Sequence, residues 1–201
     1  MKQLLKIDTS TRGVDSHSQE LADTYSKIWQ ETYTDAKVIS RDLSDGSIPH
    51  LTQDIITSMF TPKEQRTVQN HETLALSDTM IGELKSADTI MISVPMFNFT
   101  IPSVLKAYID HISRKDETFS MDETGFKGLI TGKKLIIVAA YGADFSQMKA
   151  MDFVEPYLKS IFGFLGFEDI NYFALEGTSM LGTEELTQRK DAIVLELEKC
   201  V

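Results

Sequence analysis

Residues 89–112 read TIMISVPMFNFTIPSVLKAYIDHI. The segment opens as an apolar run from Thr89 to Val94, which predicts a buried strand, and closes as an amphipathic helix from Pro102 to Ser113. Pro102 falls in the first helical turn, where a missing N–H breaks no helical bond. Between the two lies Pro95-Met96-Phe97-Asn98-Phe99-Thr100. Most chains put polar turn residues at such a junction. Met96, Phe97 and Phe99 left in water would be unfavourable, so they are expected either to fold inward as core or to wall something flat and apolar, a ligand or a partner subunit. Taken alone, the segment leaves both placements open.

The same alternation extends in both directions. Strands are expected at Leu4–Ile7, Val38–Leu43, Leu135–Ala140 and Ile170–Leu175. Helical spacing covers 19–33, with Leu21, Tyr25, Ile28 and Trp29 on one side, and 63–87, with Leu74, Met80, Ile81 and Leu84 in a stripe. It returns over 154–165 and 184–198, while 49–60 reads as irregular or a short helix. Strands alternating with helices pair in parallel through right-handed crossovers. Runs such as LIIVAA at 135–140 lack in/out alternation, as central strands covered on both faces do. The expected fold class is α/β: one domain over residues 1–201, with a doubly wound, five-stranded parallel sheet of flavodoxin-like type and helices on both faces. Such sheets bind ligands beyond the carboxyl ends of their strands. The loops after Ile7, Val94 and Ala140 are therefore the ones to read closely.

The first loop, DTSTRGVDSHSQE at 8–20, is rich in hydroxyls and runs into a helix. A helix N-terminus carries unpaired N–H groups and a partial positive charge, so with Ser10, Ser16, His17 and Ser18 around it a phosphate would be well held. A plain helix cap by Ser16 or Ser18 is the simpler use of the same residues. The loop matches neither G-x-x-x-x-G-K-[ST] nor G-x-G-x-x-G, so a monophosphate is a better candidate than a nucleoside triphosphate or a dinucleotide.

The totals exclude several classes. The chain has 201 residues, 30 acidic against 20 basic, for a net charge of -10. That balance disfavours nucleic-acid and anionic-membrane partners, both of which need Lys and Arg. The single cysteine, Cys200, permits neither an internal disulfide nor a thiolate metal cluster. The four histidines, His17, His50, His71 and His111, have no metal-ligand spacing, so no metal is expected. No apolar run approaches the ~20 residues that span a bilayer, and the N-terminus reads as a strand rather than a signal peptide, so a cytoplasmic location is expected.

Beyond these readings, the chain resembles the FMN-dependent NADH-azoreductases, which are also NADH:quinone oxidoreductases. The resemblance rests on S-x5-S-x-S at Ser10, Ser16 and Ser18, and on P-M-F-N-F-x-I-P-x-x-L-K-x-Y-I-D from Pro95 to Asp110. It continues through Thr118-Phe119, G-x-x-G-L-x-x-G-K-K from Gly125 to Lys134, PYLKSIFGFLGF from Pro156 to Phe167, and Glu176-Gly177. It implies a flavodoxin-like homodimer with FMN at sites between subunits, which passes two electrons from NADH or NADPH to quinones and azo compounds by a ping-pong hydride mechanism. Carried over, Ser10, Ser16 and Ser18 match the phosphate positions, and Met96, Phe97, Asn98 and Phe99 match the loop beside the isoalloxazine ring, with a backbone N–H near Asn98 facing the reactive nitrogen. Tyr141 and Gly142 belong to the third loop, whose N–H groups suit the opposite ring edge. No catalytic side chain is required. The rival reading is a flavodoxin-like one-electron carrier.

Two positions depart from the pattern. Similar proteins often have a second glycine where this chain has Ala143, and a left-handed alanine would be strained by roughly 1 kcal/mol. An aromatic residue is often found where this chain has Met121, in the hairpin-like insertion at 119–127, which implies weaker stacking on aromatic substrates.

Overall fold

The computed structural model describes all residues, 1–201. The principal sheet consists of β1 (Gln3–Asp8), β2 (Lys37–Asp42), β3 (Thr89–Pro95), β6 (Lys134–Ala140) and β7 (Asp169–Leu175). Its order is β2-β1-β3-β6-β7, and every neighbouring pair is parallel. The helices are α1 (His17–Thr32), α2 (Gln53–Phe60), α3 (Val68–Ser86), α4 (Ser103–Ile112), α5 (Val154–Leu165) and α6 (Thr183–Glu198). A separate antiparallel hairpin, β4 (Phe119–Asp122) and β5 (Gly125–Gly128), is inserted before β6.

The unalternating apolar strands are explained by the layering. On β3 and β6, Ile90, Ile92, Leu135 and Ile137 enter a core with α3, α4 and α5. Their neighbours Met91, Ile136 and Val138 enter a smaller core with α1 and α6. Both faces are dry, so both parities are apolar.

Local chemistry sets the helix ends. α1 starts where the Ser16 side chain accepts the Gln19 N–H. The helical pattern expected from residue 63 begins only at Val68. Thr67 and Asn70 form a reciprocal capping box there, and residues 63–65 make a short 3-10 turn instead. Pro102 stands just before α4 rather than inside it, its carbonyl accepting from Leu105 and Lys106.

One feature of β1 is unusual. Lys6 lies on the α1 side of the sheet, 7% exposed, with its ammonium on Asp8 at 2.7 Å and on Asp23 of α1. Ser93 Oγ of β3 donates to Asp8 Oδ1 at 2.9 Å. Burial pulls the Lys6 ammonium down, but the Asp23 and Asp8 carboxylates outweigh it and hold the group above its usual range. Burial raises Asp8 above the usual carboxylate range, and Lys6 and Ser93 offset only part of that. The closed network of opposite charges and hydrogen bonds is what permits ionic groups there. It ties β1, β3 and α1 together beneath the switch in strand order.

Candidate functional site

Chain order reverses between β1 and β3, and the loops that leave their carboxyl ends part there. A cleft of about 190 Å³ opens at this point, lined by Ser10, Arg12, Ser16, His17, Ser18, Pro95, Met96, Phe97, Ala140, Gly142, Thr178 and Ser179. Four loops converge on it: those after β1, β3, β6 and β7.

The β1 loop supplies hydroxyls without a lysine. Ser10, Ser16 and Ser18 are all buried, with Ser16 Oγ and Ser18 Oγ 3.3 Å apart. Ser10 Oγ accepts the Arg12 N–H at 3.3 Å. The first N–H groups of α1 have no helical partner by construction. Thr9 points the other way, its hydroxyl donating to the Ser93 carbonyl at 2.7 Å, which pins the loop to β3. Burial, together with repulsion from Lys190 and Arg12, lowers the His17 pKa, although Glu20 opposes the shift. His17 stands at the cleft with Ser16 and Ser18 on either side of it in the chain.

The β3 loop has a definite shape. Phe97 N–H donates to the Thr100 carbonyl at 2.9 Å and Thr100 N–H to the Phe97 carbonyl at 3.1 Å. The two residues between are both left-handed, Asn98 at φ 50° and Phe99 at φ 70°. A two-residue turn of this hand is normally Asn-Gly, so Phe99 is the strained member. Phe97 and Phe99 are 39% and 42% exposed, so neither is core. Met96 and Phe97 line the cleft, while Phe97 and Asn98 also edge a neighbouring pocket of about 560 Å³. Phe99 lines neither and packs edge to face with Phe145.

In the β6 loop the two expected residues separate. Gly142 lines the cleft, whereas Tyr141 is fully buried, its hydroxyl on Asp152 at 3.0 Å and against the Tyr172 hydroxyl. Burial, reinforced by Tyr172 and Asp152, pushes the Tyr141 phenol far above its usual range. Tyr141 acts instead through its backbone, its carbonyl accepting both the N–H and the hydroxyl of Thr178. Neither Gly142 nor Ala143 is left-handed, so the strain expected at Ala143 does not arise. Gly142 approaches Ser179 closely: a Cβ there would stand 3.1 Å from Ser179 Oγ, and the hydroxyl would have to give. The left-handed glycine of this region is Gly177, whose N–H donates to the Ala143 carbonyl.

Thr178 and Ser179 are the site residues that the sequence reading missed, along with Arg12. The hydroxyl pair after Gly177 follows β7, whose loop lies outside the three that the strand pattern singles out. A Thr-Ser step just beyond the last strand was the available signal.

This donor set suits a phosphorylated, flat cofactor such as FMN. Buried neutral hydroxyls and a helix N-terminus would suit a phosphate, and Met96 and Phe97 would offer apolar surface to a ring. The Tyr141 side chain takes no part in that fit.

Fold and cleft together define a flavodoxin-like protein, and comparison with known proteins agrees. A family model described as a flavodoxin-like fold matches residues 2–199. The FMN-dependent NADH:quinone oxidoreductase of Hydrogenovibrio crunogenus is 46% identical over 186 residues, covering 92% of this chain and 91% of that one. The protein of the same name from Nostoc punctiforme is 42% identical over 175 residues, 86% and 85% of the two chains. Among solved structures, an FMN-dependent NADH-azoreductase from Bacillus anthracis str. Ames Ancestor in complex with FMN superposes with a TM-score of 0.87 at 26% identity, over 100% of this chain and 97% of that one. An azoreductase from Bacillus anthracis str. Sterne shares the fold with a TM-score of 0.89 at 24% identity, over 100% and 98%. The chain belongs to the family of FMN-dependent NADH:quinone oxidoreductases.

Proposed function

We propose that the protein is an FMN-dependent oxidoreductase that passes two electrons from NADH or NADPH to quinones and azo compounds. Bound FMN supplies a two-electron store that NAD(P)H fills and the acceptor empties, so that NAD(P)H, a proton and a quinone become NAD(P)+ and a hydroquinone. The observation that carries this reading is the meeting of Ser10, Ser16, Ser18, Thr178 and Ser179 with Met96, Phe97 and Gly142 in one cleft.

In this reading the three serines and the N-terminus of α1 hold the phosphate without adding charge. Thr178 and Ser179 close the opposite side. The turn at Asn98 and Phe99 presents two amide N–H groups that make no hydrogen bond within the chain and that would serve the reactive edge of a bound flavin. Met96 and Phe97 exclude water from it. No side chain acts as acid or base, since water supplies the protons. Donor and acceptor use one place in turn, the ping-pong order.

A homodimer belongs to the same proposal. Phe97, Phe99, Met121, Phe126 and Phe153 are all exposed, more apolar surface than a lone subunit gains from showing. No helix is long and apolar enough to cross a membrane, and the proposed setting is the cytoplasm.

The test is the visible spectrum of the purified chain reconstituted with FMN. Anaerobic NADH should bleach the bound flavin fully, and benzoquinone should restore it. A chain that takes up no FMN, or whose flavin NADH and NADPH leave oxidised, would remove this reading.

A further inference from the structure

Two loops flank the cleft, and a single short segment ties them together. Asp152 accepts the Tyr141 hydroxyl on Oδ2 at 3.0 Å, one residue before Gly142. Its Oδ1 accepts the N–H groups of Val154 and Glu155 at 2.8 and 3.4 Å, which begins α5. The next residue, Phe153, donates its N–H to the Phe99 carbonyl at 3.0 Å. The left-handed Phe99 is thus held by a group whose own place is set by Asp152. A ring contact runs beside this tie, with Phe145 packing edgewise on Tyr141 at 5.4 Å and on Phe99 at 6.3 Å between centroids.

We propose that Asp152 is a positioning residue for the Asn98–Phe99 turn. Through Phe153 it anchors that turn to the carboxyl end of β6 and fixes the direction of the two free amide N–H groups. The physical need is plain. A phenylalanine at φ 70° is an unfavourable conformation that persists only where its surroundings over-determine it. The mutual bonds of Phe97 and Thr100 close the turn, and the Met96 N–H holds its entry on the Ala140 carbonyl at 3.0 Å, but neither fixes its tip. The Phe153-to-Phe99 bond holds the tip, and Asp152 holds Phe153 by accepting the first N–H groups of α5 on one oxygen and the Tyr141 hydroxyl on the other. The consequence for the cofactor rests on the function proposed above; the consequence for the turn does not.

The experiment is hydrogen–deuterium exchange on the full chain without FMN, with the amides of Phe97 and Thr100 read against those of the β3 core. Relative to β3, Asp152→Ala should speed exchange at Phe97 and Thr100 about tenfold. Tyr141→Phe, which leaves the α5 cap intact, should do so about threefold. Asp152→Asn keeps an acceptor for the cap and a partner for the phenol, and should return most of the protection. Lys159→Ala removes an ion pair to Glu155 farther along α5 and serves as the control for a mere effect on that helix. In the FMN-loaded protein, Asp152→Ala should lower kcat more than it raises KM for NADH. Exchange at Phe97 and Thr100 that is the same in Asp152→Ala, Tyr141→Phe and wild type would overturn the proposal. Should Asp152→Ala not fold, Tyr141→Phe decides alone. A wild-type chain that fails to take up FMN would end the functional reading and leave the exchange result standing.

Discussion

Gly128 and Gly166 meet backbone to backbone: a Cβ built on Gly128 would lie 2.2 Å from the Gly166 nitrogen. Gly166 ends α5 in the left-handed conformation, at φ 110°. The contact brings the β4–β5 hairpin down onto the end of α5. Beside it Phe119, Phe126 and Phe164 pack together, with centroids 4.9 to 6.2 Å apart. No flexible side chain is there to yield, so Gly128→Ala must push the hairpin off the helix. It should cost about 1–3 kcal/mol, the usual range for overpacking, read as a lower denaturant midpoint. An unchanged midpoint would mean that the hairpin is free to lift.

The strain at Phe99 gives a comparison with an inverted sign. Alanine normally stabilises a chain relative to glycine. At φ 70° that order should reverse. Phe99→Gly and Phe99→Ala lose the same ring, yet only glycine accepts the left-handed backbone without penalty. Phe99→Gly should be the more stable of the two by about 1 kcal/mol, measured by chemical denaturation of both variants.

The hydroxyl cradle predicts a phosphate-specific defect. Ser18→Ala removes one buried donor and should weaken FMN binding about tenfold, the worth of one hydrogen bond to a charged group. Riboflavin has no phosphate, and its affinity should stay the same. Fluorescence titration with both ligands checks this, and equal losses for the two would place Ser18 elsewhere in the site.

Acid stability should report on Glu117. Its carboxylate bridges Lys63 at 2.7 Å and Lys85 at 2.8 Å. Burial works to raise its pKa, but the two ammonium groups overcome that and bring it down to about 2 from an ordinary 4.5. A depressed carboxylate stabilises the fold above its unfolded pKa, and that contribution is lost as pH falls toward the folded value. Stability should therefore decline between pH 4.5 and about 2, and the decline should be shallower in Glu117→Gln. Salt will weaken the effect, since both lysines reach solvent. Denaturant midpoints across that window, for both proteins, make the comparison.

How far the sequence carried the reading depended on the range of the forces involved. Strand and helix periods are local, so the order of elements and the parallel sheet were legible from runs such as LIIVAA. α3 starts at Val68, a few residues later than its hydrophobic spacing suggests, because a capping box at Thr67 and Asn70 outweighs that spacing. Phe97 and Phe99 posed a choice between core and wall that periodicity could not make. Their partial exposure takes both out of the core, and of the two only Phe97 lines the cleft.

By itself, the sequence determined which residue types stand at the carboxyl ends of the strands, since covalent order and burial period place them there. Only the tertiary structure decided which of them face one another. Tyr141 turns into the core because Asp152 and Tyr172 satisfy its hydroxyl, while Thr178 and Ser179 arrive from a strand far away in the chain. Such meetings depend on contacts between distant segments, and no local period encodes them.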